Sequence, residues 1–228
     1  MGVVTVAGVS LGAAHGGIVT HTYNWSNNSS PGFANGGSIP DGNPSGWLDK
    51  RTVPSSDWVD AWLVTDVKVK LSLAGGFNGD LYAYLVHDTG FSVLLNRVGR
   101  GAASESGYAT SGFTDLWLSS GATTDVHFNG GASTGSYQPD GRQFDPMGLA
   151  AGLGTAPRTA MLSSFNNLKP DGDWSLFIGD VSTGSMSTMD NWSLEITAVP
   201  EPAVGLVLSG SGLVVGLGWL AVRRHKAK

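Results

Sequence analysis

Three stretches indicate the fold class of this chain: residues 67–73 (VKVKLSL), 81–86 (LYAYLV) and 91–95 (FSVLL). In the first stretch, apolar residues alternate with lysine and serine, which is the period of a strand with one buried and one solvated face. The second is apolar on both faces, as expected for a central strand. The turn at residues 88–90 (DTG) is typical of a β-hairpin. These stretches predict consecutive β-strands.

The same alternation recurs in residues 113–118, 174–178 and 192–196. Helical periodicity of useful length is missing, and 34 Gly and 10 Pro residues interrupt the apolar runs. Residues 24–46 and 122–159 are rich in turn-forming residues, so we expect the first to be a linker or edge segment and the second a long loop. The pattern predicts an all-β fold, specifically an antiparallel jelly-roll-like β-sandwich.

The C-terminal tail has three parts of different chemistry. It begins with Val199, Pro200, Glu201 and Pro202, continues with the uncharged apolar residues 203–222, and ends with a basic segment, 223–228, that contains Arg223, Arg224, Lys226 and Lys228. A helix of about 20 apolar residues covers the roughly 30 Å core of a bilayer. Basic residues next to such a helix stay on the cytoplasmic side. We therefore expect a single C-terminal transmembrane helix, with the preceding domain outside the cytoplasm.

The order of these three parts resembles the PEP-CTERM sorting signal of Gram-negative bacteria. In that family the Pro-Glu-Pro motif, here Pro200, Glu201 and Pro202, is recognised by the membrane-embedded processing enzyme exosortase. The resemblance implies a transient membrane anchor and a product delivered to the cell surface or the extracellular matrix, in an exopolysaccharide or biofilm setting. The two prolines disfavour helix and central strand, which predicts an extended and accessible motif. A permanent membrane anchor is the alternative interpretation.

The N-terminal residues are consistent with export. Residues 3–11 (VVTVAGVSL) are apolar and are followed by small residues, as in a secretory signal peptide, although a basic start is missing. We expect residues 1–17 to be a truncated signal peptide; a first strand is the alternative. Residues 18–35 are then a polar linker, and residues 36–198 form the sandwich domain.

Composition excludes several classes of function. The chain has no cysteine, which excludes disulfides, a thiol nucleophile and thiolate zinc sites. Before the Pro-Glu-Pro motif, 9 Lys and Arg residues face 17 Asp and Glu residues, a net charge of −8. Nucleic-acid binding requires a basic surface, so we expect no nucleic-acid partner.

A second resemblance concerns the domain itself. Its motifs, in chain order, are residues 38–42 (SIPDG), 65–69 (TDVKV), 77–81 (FNGDL), 172–176 (GDWSL) and 191–194 (NWSL). This order resembles the P domain, or homo B domain, that follows the catalytic domain of kexin-like and furin-like proprotein convertases. The likeness covers about residues 36–197. It implies a jelly-roll-like sandwich without an active site of its own.

Catalytic patterns are weak. Residues 131–135 (GASTG) match the nucleophile-elbow pattern around Ser133, and Asp125 and His127 precede it. In a hydrolase of that class the serine lies between a strand and a helix, and the acid and histidine follow it in the chain. Neither condition is met, so a hydrolase is the least favoured interpretation. We expect a non-enzymatic protein without an obligatory cofactor.

Two binding functions remain open. Asp41, Asp80, Asp180 and Asp190 lie at predicted turns or strand ends and are weak candidates for a structural calcium site, although aspartate also favours turns for its own hydrogen bonding. A carbohydrate-binding module is the main alternative function, with extracellular polysaccharide as partner. The aromatic residues that could stack on a sugar are Trp47, Trp58, Trp62, Tyr108 and Trp117.

Overall fold

Ten β-strands account for most of the regular structure in residues 17–58 and 62–201, the part of the chain that the computed structural model describes. The strands are β1 (Val19–Ser26), β2 (Ser38–Ile39), β3 (Asn43–Val53), β4 (Trp62–Gly75), β5 (Leu81–His87), β6 (Gly90–Asn96), β7 (Phe113–Ser119), β8 (Gly135–Tyr137), β9 (Gly172–Asp180) and β10 (Ser187–Pro200). One short α-helix, α1 (Ala150–Leu153), lies in the same part of the chain. The predicted all-β class is confirmed.

The strands form two sheets. In the six-stranded sheet the order is β1-β10-β4-β7-β8, and β2 pairs with one end of β10. In the four-stranded sheet the order is β3-β9-β5-β6. All pairs are antiparallel except β7 with β8, which are parallel. The central position predicted for residues 81–86 is confirmed, because β5 lies between β9 and β6.

Both sheets bury one face in a single hydrophobic core. On β4 the inward residues Val67, Val69 and Leu71 are at most 1% exposed. Trp192 on β10 and Trp174 on β9 are fully buried, and they anchor the core from the two opposite sheets. Aromatic side chains of this size bury a large apolar area. The inward alternation predicted for these strands is therefore confirmed.

The expected linker at residues 18–35 is wrong for its first half. Val19–Ser26 forms β1, an edge strand that pairs antiparallel with β10. Tyr23 and Trp25 pack against the core from this strand, and the Trp25 ring lies 4.3 Å from the Trp192 ring. The sequence indicates this strand only weakly because the polar residue His21 interrupts the apolar residues on its inward face. The domain thus begins before residue 36.

Residues 24–46, expected to be a linker or edge segment, run into the eleven-residue β3, which is an edge strand of the four-stranded sheet. Its inward face carries Trp47 and Val53 together with two charged residues, Asp49 and Arg51, which are 7% and 6% exposed. The Asp49 carboxylate accepts a hydrogen bond from Arg51 Nε at 2.8 Å and another from Trp192 Nε1 at 2.7 Å. Asp49 thereby links the two sheets through a buried polar contact.

Residues 122–159 contain only short elements, as expected. A buried ionic network holds this segment: Arg142 donates to Asp125 at 2.7 Å and to Asp140 at 3.2 Å. Asp140 is fully buried and lies 2.8 Å from His127 Nδ1. The loop is therefore fixed by charge pairing where it lacks a hydrophobic face.

The terminal predictions fall largely beyond this structure. Residues 1–16 of the expected signal peptide lie outside the described residues, as do Pro202, the expected helix at residues 203–222 and the basic segment 223–228. Within residues 17–58 and 62–201, no helix has the length and apolar character needed to cross a membrane.

Candidate functional site

The outer face of the six-stranded sheet carries a row of polar side chains. Because Val67 and Val69 point inward on β4, Lys68 and Lys70 point outward between them. Strand register places Lys68 between Glu195 of β10 and Ser119 of β7. Donor and acceptor groups from three neighbouring strands are thus side by side on one solvent-facing surface.

Trp117 is the aromatic residue on this face. Its neighbours in β7, Leu116 and Leu118, are fully buried, so the strand alternation turns the indole outward, where it is half-buried. Lys70 Nζ lies 5.7 Å from the centroid of the indole, within the range of a cation–π contact. Trp117 therefore has a defined position on the surface without being part of the core.

Each lysine of this face is paired with a carboxylate. Lys68 Nζ donates to Glu195 Oε1 at 2.7 Å, and this hydrogen bond raises the pKa of the Lys68 ammonium above its usual value. Lys70 Nζ lies 3.3 Å from Asp115 Oδ1. Asp115 has a φ of +48° and sits where the register of β4 and β7 shifts, so a β-bulge directs its carboxylate toward Lys70.

Trp117, Lys68 and Glu195 border a depression of about 460 Å³, which we call the Trp117 depression. Its lining includes Trp117, Lys68, Glu195, Ser119 and Ser136. Ligand sites of about 300 to 1,000 Å³ commonly combine an aromatic or apolar wall with a few polar groups. The arrangement can hold a polar ligand with one flat apolar face.

The other aromatic candidates do not form a comparable surface. Trp47 and Trp58 are only 4% and 5% exposed. Trp62 is half-buried, and its ring lies 6.1 Å from that of Trp58. Tyr108 packs against the core and its hydroxyl accepts from Gly130 N. Of the five predicted candidates, Trp117 alone lines the depression.

Three of the four calcium candidates share one end of the domain. Asp180 is fully buried, and the carboxylates of Asp80 and Asp41 act on it electrostatically. Asp80 is paired with Arg97 at 3.2 Å, and both carboxylate oxygens of Asp41 accept from Gly184 N. Asp190 is exposed on β10. Among the described residues, no group of three or more acidic or histidine side chains is arranged to hold a metal ion.

Asp125 and His127 of the hydrolase pattern have structural roles. Asp125 caps a short turn by accepting from His127 N at 2.9 Å. His127 is fully buried, and its two ring nitrogens lie 2.8 Å from Asp140 Oδ2 and 2.9 Å from Arg100 O. Both nitrogens are thereby committed to other partners. The imidazole cannot serve Ser133 as a general base in this arrangement.

The sorting motif begins inside the last strand. Val199 and Pro200 pair with Leu63 and Trp62 and are half-buried, whereas Glu201 is exposed. Pro200 is therefore extended as expected but only partly accessible, because β4 is long enough to pair with it. Glu201 is the first residue that extends beyond the sheet.

Comparison with known proteins finds similarity to solved structures at low sequence identity. No protein-family model and no curated protein matches the chain. A structure of the Aeromonas sobria serine protease in complex with a chaperone is 15% identical and covers 80% of this chain and 27% of that chain, with a TM-score of 0.43. A structure of the Aeromonas sobria serine protease is also 15% identical and covers 79% and 27%, again with a TM-score of 0.43. The chain thus spans about a quarter of the length of these proteins.

Proposed function

We propose that this is an exported, non-enzymatic protein of the cell surface or extracellular matrix, sorted through its C-terminal tail by an exosortase-type enzyme. The observation that carries the proposal is the order of residues 199–228: Pro-Glu-Pro motif, apolar run, basic end. The end of β10 at Pro200 supports it, because the motif then joins the domain to the apolar run without a further folded unit between them.

The domain is proposed to be a jelly-roll-like sandwich of the P-domain kind. The motif at residues 172–176 begins β9, and the motif at residues 191–194 lies in β10. Both contribute a fully buried tryptophan, Trp174 and Trp192. The order of the motifs supports the resemblance, and the fold agrees with it at the level of an all-β protein with two sheets.

Mass spectrometry of the mature protein from its host tests the sorting proposal. We expect the purified surface form to end close to Pro202 and to lack residues 203–228. Its N-terminus should lie before Val19, because removal of Val19–Ser26 would take away a strand that pairs along eight residues of β10. A surface form that retains residues 203–228 would instead establish a permanent membrane anchor.

The Glu201→Ala substitution distinguishes recognition of the motif from general effects on export. Glu201→Ala is expected to leave the C-terminal segment attached in most of the protein, since the carboxylate between the two prolines is the recognised feature in the proposed signal. Glu105→Ala is the matched control, because Glu105 is also an exposed glutamate but lies in a loop outside the tail. Loss of processing in both variants, or in neither, would count against recognition of the motif.

Carbohydrate binding is the second candidate function. The observation that favours it is the Trp117 depression, where a half-exposed indole lies beside paired donors and acceptors on the outside of a sheet. Aromatic faces stack on the apolar faces of sugars, and nearby polar groups bind the hydroxyls. This function is compatible with delivery to an exopolysaccharide matrix.

A further inference from the structure

We infer that the Trp117 depression binds an uncharged oligosaccharide laid across the strands. This inference rests on the carbohydrate-binding role proposed above and adds the site, the charge class and the length of the ligand. The site requires one sugar ring against the Trp117 indole and neighbouring hydroxyls against Lys68 and Glu195.

The absence of charge on the proposed ligand follows from the pairing of lysine and carboxylate groups on this face. Lys68, which lines the depression, is paired with Glu195 at 2.7 Å, and Lys70, which contacts the Trp117 ring, is paired with Asp115 at 3.3 Å, so both charges are neutralised locally. The chain before the sorting motif also has more carboxylates than cations, 17 against 9. An acidic polysaccharide would bring further negative charge next to Glu195 and Asp115 on an acidic protein, which is unfavourable.

Uncharged sugars suit the same pair without breaking it. A lysine ammonium has three N–H donors, and the bond to Glu195 uses one of them, while a carboxylate accepts several hydrogen bonds. Adjacent hydroxyl groups can accept from Lys68 and donate to Glu195 at the same time. Ser119, which pairs with Lys68 in the strand register, and Ser136, on the side of Trp117 away from β10, add hydroxyl groups.

The expected length of the oligosaccharide follows from the spacing of the strands. The residues of the depression come from β10, β4, β7 and β8, which are consecutive neighbours in the sheet. Four strands at about 4.8 Å spacing span about 14 Å. One sugar ring does not reach across this distance, so we expect a short oligosaccharide to bind more tightly than its monosaccharide.

The test is affinity electrophoresis of the full chain in a detergent without a sugar headgroup, through gels that contain a neutral polymer (dextran, starch or a β-glucan) or an acidic one (alginate). We expect at least one neutral polymer to retard the protein, alginate not to do so, and retardation to persist at high salt. Trp117→Ala should weaken binding about ten-fold or more, equivalent to about 1.4 kcal/mol. Phe91→Ala is the control, because Phe91 is a half-buried aromatic residue on the four-stranded sheet.

The outcomes separate the inference from the function on which it rests. Retardation by alginate alone would overturn the neutral ligand while keeping a carbohydrate-binding role. Neutral binding that Trp117→Ala leaves unchanged, with Phe91→Ala also unchanged, would overturn the site. If the folded protein were retarded by none of these polymers, the carbohydrate-binding role itself would be rejected. Thermal unfolding of each variant confirms that it is folded in the assay.

Discussion

Replacement of Asp49 by alanine is expected to lower the free energy of unfolding by about 3 to 5 kcal/mol, the usual effect of removing one partner from a buried ion pair. The side chain is almost fully buried and accepts from both Arg51 Nε and Trp192 Nε1. Without it, the Arg51 guanidinium remains buried without its counter-charge, and the indole N–H of a core tryptophan loses its acceptor. Denaturant unfolding followed by tryptophan fluorescence measures the change.

The matched control is Asp173→Ala. Asp173 also pairs with a cation of β3, Lys50, at 2.6 Å, but both side chains are about half exposed. Exposed ion pairs contribute little to stability because water and salt screen them. The expected loss is therefore much smaller than for Asp49→Ala. Similar losses in the two variants would show that the contact between Asp49 and the opposite sheet is not a main support of the fold.

Asp49 also explains why sequence alone did not predict β3. A strand is recognised by apolar residues at every second position, and β3 places Asp49 and Arg51 at two of those positions. Their burial depends on partners that are distant in the chain: Trp192 is 143 residues away from Asp49. Periodicity carries no information on such partners, so a strand stabilised by a buried polar contact was not distinguishable from a loop.

The strands that were predicted have mainly apolar inward positions. Alternation in β4, in residues 174–178 of β9 and in residues 192–196 of β10 was clear because each inward position is Val, Leu, Ile or Trp. β1 failed for a different reason: it is an edge strand whose inward residues are half-buried, so its apolar signal is weaker. Local pattern therefore predicted strands with clear apolar runs, including the edge strand β6, and not the edge strands β1 and β3.

The candidate site was predictable only in part. Strand alternation predicted that Lys68 and Lys70 lie on the solvated face of a strand. Trp117 was one of five aromatic residues expected to be exposed and able to stack on a sugar. The sequence did not predict that Glu195 and Ser136 lie next to these residues, because strand order and register are tertiary properties that a single sequence does not fix. The burial of Trp47 and Trp58 depends on the same unknown register. The depression became visible only when four strands were placed in order.

Asp180 is expected to make the folded protein less stable as the pH rises from about 4 to about 6. Burial, together with the carboxylates of Asp80 and Asp41, raises the pKa of Asp180 from its usual value of 3.8 to about 6. One carboxylate oxygen has no hydrogen-bond partner among the described residues. The folded state binds the proton more tightly than the unfolded state, so ionisation between these two pH values costs stability. Raising the pKa from 3.8 to about 6 corresponds to a loss of about 3 kcal/mol in the free energy of unfolding once the group is ionised.

Asp180→Asn should therefore raise the unfolding temperature at pH 7 to 8 and remove most of the decline between pH 4 and pH 6. Burial also raises the pKa of Asp80, which acts with the same sign, so a smaller decline should remain in the variant.

Asp173→Asn is the control of opposite sign. Hydrogen bonds from Lys50 and Thr52 lower the pKa of Asp173, so its contribution is present at neutral pH and is lost as the pH falls. If Asp180→Asn were less stable than the parent at pH 7 to 8, the buried carboxylate would have a partner that offsets its burial, and the calcium candidates at this end of the domain would then merit titration with the ion.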